Sequence, residues 1–331
     1  MPKTKPQTII LSRRAIESVL DLGKALTAVE DAFRQYARGR AHMPPKVYLD
    51  VRKYNGDFRA MPAYLEDAQS CTLKWVNVHP GNPAIGLPMV MAVLVLNDAR
   101  TGFPLSVMDG TYITAVRTGA AGAVAAKHIA PKGAVRVGLV GCGVQAAMQL
   151  TMLRLVRSVK EVRVWGHQPQ LAKAFLRKMR RRSEDMTACA GVEETVAGAD
   201  IVVTTTPVRT PIVKYGWIKP GAHINAIGAD AAGKQELDPR LLQEGRIIID
   251  EWSQASHSGE INVALKKGLI TKRKIYASLG EIVAGQKKIP AKPVRTTVFD
   301  STGLAIQDAA VARLVYDAAR RRKVGRRIHL F

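Results

Sequence analysis

The segment Ala134-Val-Arg-Val-Gly-Leu-Val-Gly-Cys-Gly-Val-Gln-Ala146 carries the strongest structural signal in this chain. Its first half has the aliphatic pattern of a short buried β-strand, and its second half is a glycine-rich turn that leads into a helical run. Gly141, Gly143 and Ala146 have the G-x-G-x-x-G/A spacing of a dinucleotide-binding turn, in which glycines permit a tight bend and close approach to a pyrophosphate. The helix N-terminus adds unpaired N–H groups and partial positive charge. A purely structural turn is the alternative.

Length and composition indicate a globular protein with two domains of ordinary size. The chain has 331 residues, of which 47% are hydrophobic. Its longest apolar stretch, Ile85–Leu96, is too short to cross a bilayer, and Met1–Pro6 lacks the apolar core of a signal peptide. The three cysteines are too few and too far apart for a disulfide framework or a zinc site: Cys71, Cys142 and Cys189. We therefore expect a cytoplasmic enzyme without a metal site or a membrane partner.

The net charge of +23 is high for such an enzyme. Basic residues concentrate in Arg177–Arg182, Lys266–Lys274 and Arg320–Arg327. Such clusters could attract nucleic acid, but no recognised binding motif accompanies them and only 5% of residues are aromatic. Solvated basic helix faces explain them better, with nucleic-acid binding as a weak alternative. We expect a small-molecule partner and no specific nucleic-acid partner.

The N-terminal region has an α+β pattern. Helical spacing occupies residues 12–40, and two strand-like segments, Lys46–Lys53 and Asp57–Pro62, then flank an Asn-Gly pair that predicts a hairpin. A two-residue loop would set Arg52 opposite Arg59, and strand alternation would place Lys46 and Arg59 on the same face. Further strands are predicted at Thr72–Val78, Met89–Leu96 and Leu105–Met108.

The rest of the chain alternates strand and helix signals, which is typical of a doubly wound parallel sheet. Thr114–His128 and Leu304–Arg322 have helical spacing. The predicted strands are Val135–Val140, Glu161–Trp165, Ile201–Thr205, His223–Ile227 and Arg246–Asp250. The expected fold class is α/β, with a Rossmann-type domain over residues 116–304 and an α+β domain over residues 1–115 with 305–331.

Three charged residues outside the glycine turn are candidates for chemistry. Lys74 interrupts a strand-like run, and in a closed cleft its pKa would fall towards a useful acid/base value; the alternative is a solvated lysine on an edge strand. Arg117 lies in a run of small residues and could hold a carboxylate bidentately, or form an interdomain salt bridge. Asp230 ends a predicted strand, where ligands bind in parallel sheets, or caps a helix.

Six ordered motifs give the chain a family resemblance. They are Met61–Ala63, Leu73–Asn82, Asp109–Gly122, Val140–Ala146, Ile224–Asp230 and Phe299–Asp308. With these motifs the chain resembles the ornithine cyclodeaminase/μ-crystallin family across nearly its whole length, and most closely the archaeal alanine dehydrogenase branch. The resemblance implies a homodimer, with the interface and part of the substrate pocket in the α+β domain.

The resemblance also implies roles for individual residues. Lys74 and Asp230 match the catalytic lysine and aspartate, and Arg117 matches the arginine that binds the substrate carboxylate. Lys46 and Arg59 match further basic residues of the pocket. Dinucleotide contacts are expected at Thr118, Gly141, Gly143, Val144, Gln145, Ala146, His167, Thr205, Thr206, Pro207, Ala226, Gly228, Ser301, Thr302 and Gly303.

Two departures bear on substrate and cofactor. Ornithine cyclodeaminases carry an acid just before the Met-Pro pair, where this chain has Arg59; an arginine there would repel the second amine of ornithine. The segment Gly166–Gln168 lacks the acid that usually binds the ribose hydroxyl of NAD, so the cofactor is expected to be NAD with NADP as an alternative.

The resemblance therefore implies a reversible NAD(P)-dependent dehydrogenase that converts L-alanine to pyruvate and ammonia. A ketimine or imine reductase, an opine-type dehydrogenase and an ornithine cyclodeaminase-type enzyme share the hydride step, so the glycine turn does not separate them. A non-catalytic binder of NADP and a small ligand, as in the μ-crystallin branch, is the alternative from another class.

Overall fold

The structure is a computed structural model that describes residues 6–290 and 295–331. The described residues divide into two compact units. The first comprises the residues up to Arg117 together with Leu304–Phe331, and the second comprises Thr118–Gly303. None of the described helices is long and apolar enough to cross a membrane.

A mixed sheet covered by helices forms the first unit. Its described strands run in the order β16-β1-β7-β6-β5-β4-β2, and β3 pairs with β4 beside this path. The strands are β1 (Thr8–Leu11), β2 (Ala41–His42), β3 (Val47–Val51), β4 (Gly56–Leu65), β5 (Ser70–Val78), β6 (Val90–Asn97), β7 (Pro104–Asp109) and β16 (Arg326–Ile328). The helices are α1 (Arg13–Val19), α2 (Leu22–Ala37), the first part of α3 (Gly110–Ile129) and α11 (Ala305–Arg322).

The predicted hairpin forms, but its loop is longer than expected. Arg52–Tyr54 make a 3₁₀ turn and Asn55 adopts a left-handed conformation, so Tyr48, and not Arg52, lies opposite Arg59. The predicted pairing of Arg52 with Arg59 is therefore wrong. The two registers differ by an even number of residues, and for that reason the residues that share a face with Arg59 are the same in both.

The second unit is a doubly wound parallel sheet, which confirms the predicted fold class. Its described strands run in the order β10-β9-β8-β11-β12-β15-β13-β14, and every pairing is parallel. The strands are β8 (Ala134–Val140), β9 (Ser158–Trp165), β10 (Asp185–Ala188), β11 (Ile201–Thr204), β12 (Ala222–Ala226), β13 (Arg246–Ile249), β14 (Ile275–Ser278) and β15 (Thr296–Asp300). The helices are the second part of α3, α4 (Val144–Val156), α5 (Pro169–Met179), α6 (Val192–Val196), α7 (Pro239–Glu244), α8 (Trp252–Ser258), α9 (Asn262–Lys266) and α10 (Leu279–Val283).

Both faces of this parallel sheet are buried. On β11, Val202 belongs to one hydrophobic cluster, whereas Ile201 and Val203 belong to another. Successive side chains of a strand point to opposite faces, so each face has its own apolar layer. The order of strands reverses between β8 and β11, and the residues that follow these two strands flank the crevice where such sheets bind ligands.

Candidate active site

On β5 the charged Lys74 is buried and its two apolar neighbours are exposed, which is the reverse of the usual arrangement. The lysine side chain is fully buried, whereas the neighbouring Leu73 and Trp75 are 42% and 41% exposed. Strand geometry sends Lys74 to the face opposite that of its two apolar neighbours. Helix α11 packs on β4 and β5, and it supplies the charged partner of the lysine. The sequence-based alternative of a solvated edge lysine is therefore wrong.

Asp308, in the first turn of α11, joins two of the predicted site residues. Lys74 Nζ donates to Asp308 Oδ2 at 2.7 Å, and Arg117 Nε donates to Asp308 Oδ1 at 3.1 Å. Arg117 Nη1 also donates to Gln307 Oε1 at 3.1 Å. Lys74, Asp308 and Gln307 are fully buried, and Arg117 is 6% exposed. The arrangement holds a lysine and an arginine side by side through one carboxylate.

Burial gives Lys74 a proton affinity suited to acid/base chemistry. Loss of solvent and the nearby Arg117 charge lower the pKa of Lys74 to about 7, although Asp308 opposes them with its charge and hydrogen bond. The Lys46 charge lowers the pKa of Lys74 further, which places this half-buried lysine in the same electrostatic environment. Near neutral pH the amine is thus able both to accept and to donate a proton.

Arg59 is also buried, on β4. Its guanidinium forms a two-pronged ion pair with Asp57 (Nε–Oδ1 2.7 Å, Nη2–Oδ2 3.2 Å) and lies over the ring of Tyr48 at 5.4 Å. Arg59 and Lys74 share a face of the sheet, since Met61 pairs with Lys74 and lies two residues after Arg59 on β4. Arg59 and Lys74 therefore lie on one face of the sheet, and each forms an ion pair with a carboxylate that was not predicted from the sequence, Asp57 and Asp308 respectively.

In the second unit the glycine turn has the geometry that its spacing predicts. Gly141 has a φ of 112°, and a Cβ there would collide with Thr205 Oγ1. Gly143 precedes the 13-residue helix α4 without a side-chain cap, and a Cβ there would meet nothing within 4 Å. Ala146 is buried. The open space beside Gly143, at the N-terminus of α4, fits the pyrophosphate of a dinucleotide.

The other predicted dinucleotide residues follow the carboxyl ends of the parallel strands. Thr205–Pro207 follow β11, Gly228 follows β12, and Ser301–Gly303 follow β15. Ala226 is the last residue of β12, and Val144 and Gln145 open α4. Thr118 lies within α3, where its carbonyl accepts a hydrogen bond from Gln149.

Buried carboxylates hold these loops. Asp250 accepts from the backbone N–H groups of Thr302 and Gly303 at 2.6 and 2.8 Å, and Glu236 accepts from those of Thr206 and Gly228. Burial raises the pKa of Glu236.

Asp230 and His167 are more accessible than the residues around Lys74. Asp230 follows β12 and forms an ion pair with Lys234 at 2.6 Å, and its side chain is 31% exposed. His167 follows β9 and is exposed. Beside it Gly166 is buried, and a Cβ there would collide with Cys142 Sγ. No side chain is therefore accommodated at Gly166 without a movement of Cys142.

Asp308 and Glu236 were not predicted from the sequence. Asp308 ended the last family motif, but an acid in the first turn of a helix is ordinarily explained by the helix dipole. Its apolar surroundings, Ala305, Ile306 and Ala309, were the available signal, because a carboxylate among such residues needs a cation.

Comparison with known proteins identifies the family. The sequence profile of the ornithine cyclodeaminase/mu-crystallin family matches residues 6–323. The chain belongs to this family. It is 49% identical to an alanine dehydrogenase from Archaeoglobus fulgidus over 98% of this chain and 99% of that protein. It is 36% identical to the ketimine reductase mu-crystallin of Rattus norvegicus over 85% of this chain and 86% of that protein.

Solved structures of the ornithine cyclodeaminase/mu-crystallin fold superpose closely. An archaeal alanine dehydrogenase dimer with bound NAD has a TM-score of 0.93 at 48% identity and covers 98% of this chain and all of its own. The Thermococcus litoralis Δ1-pyrroline-2-carboxylate reductase, in complex with NADH and L-proline, has a TM-score of 0.94 at 36% identity and covers 97% of this chain and all of its own. The relatives thus include enzymes named for an amino acid, a ketimine and a cyclic imine.

Proposed function

We propose that this protein is an NAD(P)-dependent amino-acid dehydrogenase that interconverts L-alanine with pyruvate and ammonia. The observation that carries the proposal is the buried Lys74, whose pKa is lowered to about 7 and whose carboxylate partner also holds Arg117. The 49% identity to an archaeal alanine dehydrogenase favours alanine over other amino acids.

The second unit would hold the dinucleotide. Gly141 and Gly143 bring the backbone close to a pyrophosphate, and the loops after β11, β12 and β15 would contact the rest of the cofactor. The NAD and NADH bound to the two solved relatives support this assignment. When bound, the nicotinamide accepts hydride from an amino acid or donates it to an imine.

The residues of the first unit would bind the substrate and transfer protons. Arg117, with Lys46 and Arg59, supplies positive charge for the substrate carboxylate. In the oxidative direction, neutral Lys74 would accept a proton while the substrate amine is converted to an imine and the imine is hydrated. In the reductive direction, protonated Lys74 would return that proton. Asp308 fixes the direction of the Lys74 amine. For Asp230 we propose that it positions or activates the attacking water.

We also propose that the chain forms a homodimer through the outer face of the first sheet. Val47, Leu49, Leu73, Trp75 and Val93 lie on this face and are between 41% and 64% exposed. Apolar patches of this kind commonly mark protein interfaces, and a second copy is the favoured occupant because the 48% identical relative is a dimer.

A substrate panel tests the proposal. The purified protein is assayed with L-alanine and other amino acids in one direction. In the reductive direction it is assayed with pyruvate plus ammonia and with Δ1-pyrroline-2-carboxylate. Each assay is run with NAD(H) and with NADP(H). We expect the highest kcat/KM for the alanine–pyruvate pair. Efficient conversion of L-ornithine to proline, with no reduced nicotinamide formed from L-alanine, would contradict the proposal, and faster reduction of the cyclic imine would assign the protein to the reductases.

A further inference from the structure

The carboxylate of Glu236 joins two loops at the carboxyl edge of the parallel sheet. Its Oε1 accepts hydrogen bonds from the backbone N–H and the hydroxyl of Thr206, both at 2.6 Å. Its Oε2 accepts from the Thr204 hydroxyl at 2.6 Å and from the Gly228 N–H at 2.9 Å. Thr204 is the last residue of β11, Thr206 follows β11 and Gly228 follows β12, so one side chain binds the segments that leave two neighbouring strands.

The two loops touch at this point. A Cβ at Gly228 would collide with the Thr206 carbonyl oxygen and would lie 2.6 Å from the Glu236 carboxyl group. The backbone pairing of β11 with β12 ends at Thr204 and Ala226. Beyond that pair, the Ile227 N–H still donates to the Thr204 carbonyl at 2.9 Å, and the hydrogen bonds to Glu236 then join Thr206 to Gly228.

Glu236 is itself held from three sides. Its backbone N–H donates to both carboxylate oxygens of Glu260 at 2.9 Å, and its carbonyl accepts from Ile212 and Val213 at 2.9 and 3.0 Å. The Glu260 N–H in turn donates to Asp300 Oδ1 at 2.9 Å. Glu236 is fully buried. A side chain anchored in this way offers its oxygens at fixed positions.

We propose that Glu236 is a positioning residue of the dinucleotide site: it sets the separation of the Thr205–Thr206 and Gly228 loops without itself contacting the cofactor. The proposal rests on the proposed dinucleotide binding by these loops. It assigns a role in ligand affinity to a residue that the resemblance did not select.

The variant Glu236→Gln tests this role with a minimal change of shape. Each carboxylate oxygen accepts from one backbone N–H, Oε1 from Thr206 and Oε2 from Gly228. A glutamine has one oxygen, so in either orientation its NH₂ group faces an N–H donor and one loop must move. The control is Asp200→Asn, because Asp200 also accepts from a backbone N–H, that of Arg136, but precedes β11 at the amino edge of the sheet.

The measurement is the Kd of NADH from its fluorescence titration, with the KM of both substrates in steady state. We expect the Kd and the KM for NADH to rise about tenfold or more in Glu236→Gln. In the same variant the KM for pyruvate should change less than about threefold. In Asp200→Asn the Kd should stay within about twofold of wild type.

A second variant keeps the test decisive if Glu236→Gln does not fold. Thr204→Val removes one of the four hydrogen bonds and preserves side-chain shape, and it should raise the Kd of NADH about threefold. If wild type binds NADH and a folded variant binds it with an unchanged Kd, the inference about Glu236 is overturned and the proposed function is not. An absence of NADH binding by wild type would overturn the proposed function as well.

Discussion

Lys74 Nζ lies 2.7 Å from Asp308 Oδ2, although 234 positions separate the two residues in the sequence. The contact joins the central strand β5 to the helix α11 near the chain's end. Burial and the nearby Arg117 charge lower the pKa of Lys74 to about 7, and Asp308 offsets only part of this shift with its charge and hydrogen bond.

Removal of the amine tests the role of Lys74. Lys74→Ala should lower kcat about 10²-fold or more, which is the usual scale for loss of a positioned general acid/base. The Kd of NADH should hardly change, because the proposed dinucleotide residues lie in the other unit. Stopped-flow or steady-state absorbance at the reduced-nicotinamide band gives kcat. The control is Lys53→Ala, which removes an exposed lysine of the hairpin; near-native turnover of Lys74→Ala would exclude the residue from the mechanism.

The pH profile tests the Lys74–Asp308 pair. For amino-acid oxidation the lysine must be neutral to accept a proton, so kcat/KM should rise with pH through about 7. Asp308→Asn removes the negative charge that raises the pKa of Lys74, and the inflection should move to lower pH by about one unit. Asp317→Asn is the control, because Asp317 lies on the same helix but pairs with Arg313. An inflection that stays in place in Asp308→Asn would show that another group titrates.

The sequence predicted the fold of the second unit well, because the glycine turn and five aliphatic segments carry local signals. Strands β10, β14 and β15 were not predicted, because each contains at most two aliphatic residues, whereas the equally short β11, β12 and β13 contain three. Lys46 lies one residue before β3, so its placement on the face of Arg59 stays a prediction; the longer loop preserves the strand alternation on which that prediction rests. Strand alternation depends on parity, whereas loop length depends on local turn conformation.

The candidate site was harder to predict, because it depends on contacts between distant segments. Strand alternation shows that Lys74 and Trp75 point to opposite faces, but it does not show which face a helix covers. Asp308 accepts a hydrogen bond from Lys74, which is 234 positions away in the sequence. Glu236 accepts hydrogen bonds from residues that are between 8 and 32 positions away. No local pattern encodes such partners.

The apolar outer face of the first sheet gives a prediction for assembly. Wild type should elute and scatter light as a particle of twice the 36.0 kDa chain mass. Trp75→Glu places a charge within the exposed face, beside the stacked ring of Phe58, and should shift the protein towards monomer at micromolar concentration. Leu269→Glu, at an equally exposed leucine of the second unit, should remain dimeric. A dimeric Trp75→Glu protein would contradict the proposed interface.

The buried imidazole of His223 predicts how stability depends on pH. Burial lowers the pKa of His223 to about 4, and its ring nitrogens contact Thr297 Oγ1 and Asn225 Oδ1 at 2.8 and 2.9 Å. An unfolded histidine has a pKa of about 6.5. Because the folded value is the lower one, the contribution to stability is complete above about pH 6.5 and is lost as pH falls towards 4.

Urea unfolding followed by intrinsic fluorescence at pH 7 and pH 5 measures this contribution. The wild type should lose about 2 kcal/mol between these values, and His223→Gln should lack that loss. Equal pH dependence in the two proteins would show that the imidazole does not remain neutral in the folded chain.

Cofactor choice gives the last prediction. The position after β9 where an acid would bind the ribose hydroxyl is Gly166, and Cys142 Sγ leaves no room there for a side chain. Because residue 166 is a glycine, it supplies no carboxylate to accept a hydrogen bond from the ribose of NAD. For the same reason it supplies no carboxylate to repel the 2′-phosphate of NADP. The exposed His167 offers a donor to that phosphate.

We expect both cofactors to be used, with NADH preferred by less than about 10³-fold in kcat/KM. His167→Ala should lower kcat/KM for NADPH and leave that for NADH nearly unchanged. The two reduced cofactors are compared with pyruvate and ammonia as the other substrates. A larger preference for NADH would correspond to more than about 4 kcal/mol of discrimination and would require a group other than Gly166 and His167 to supply it.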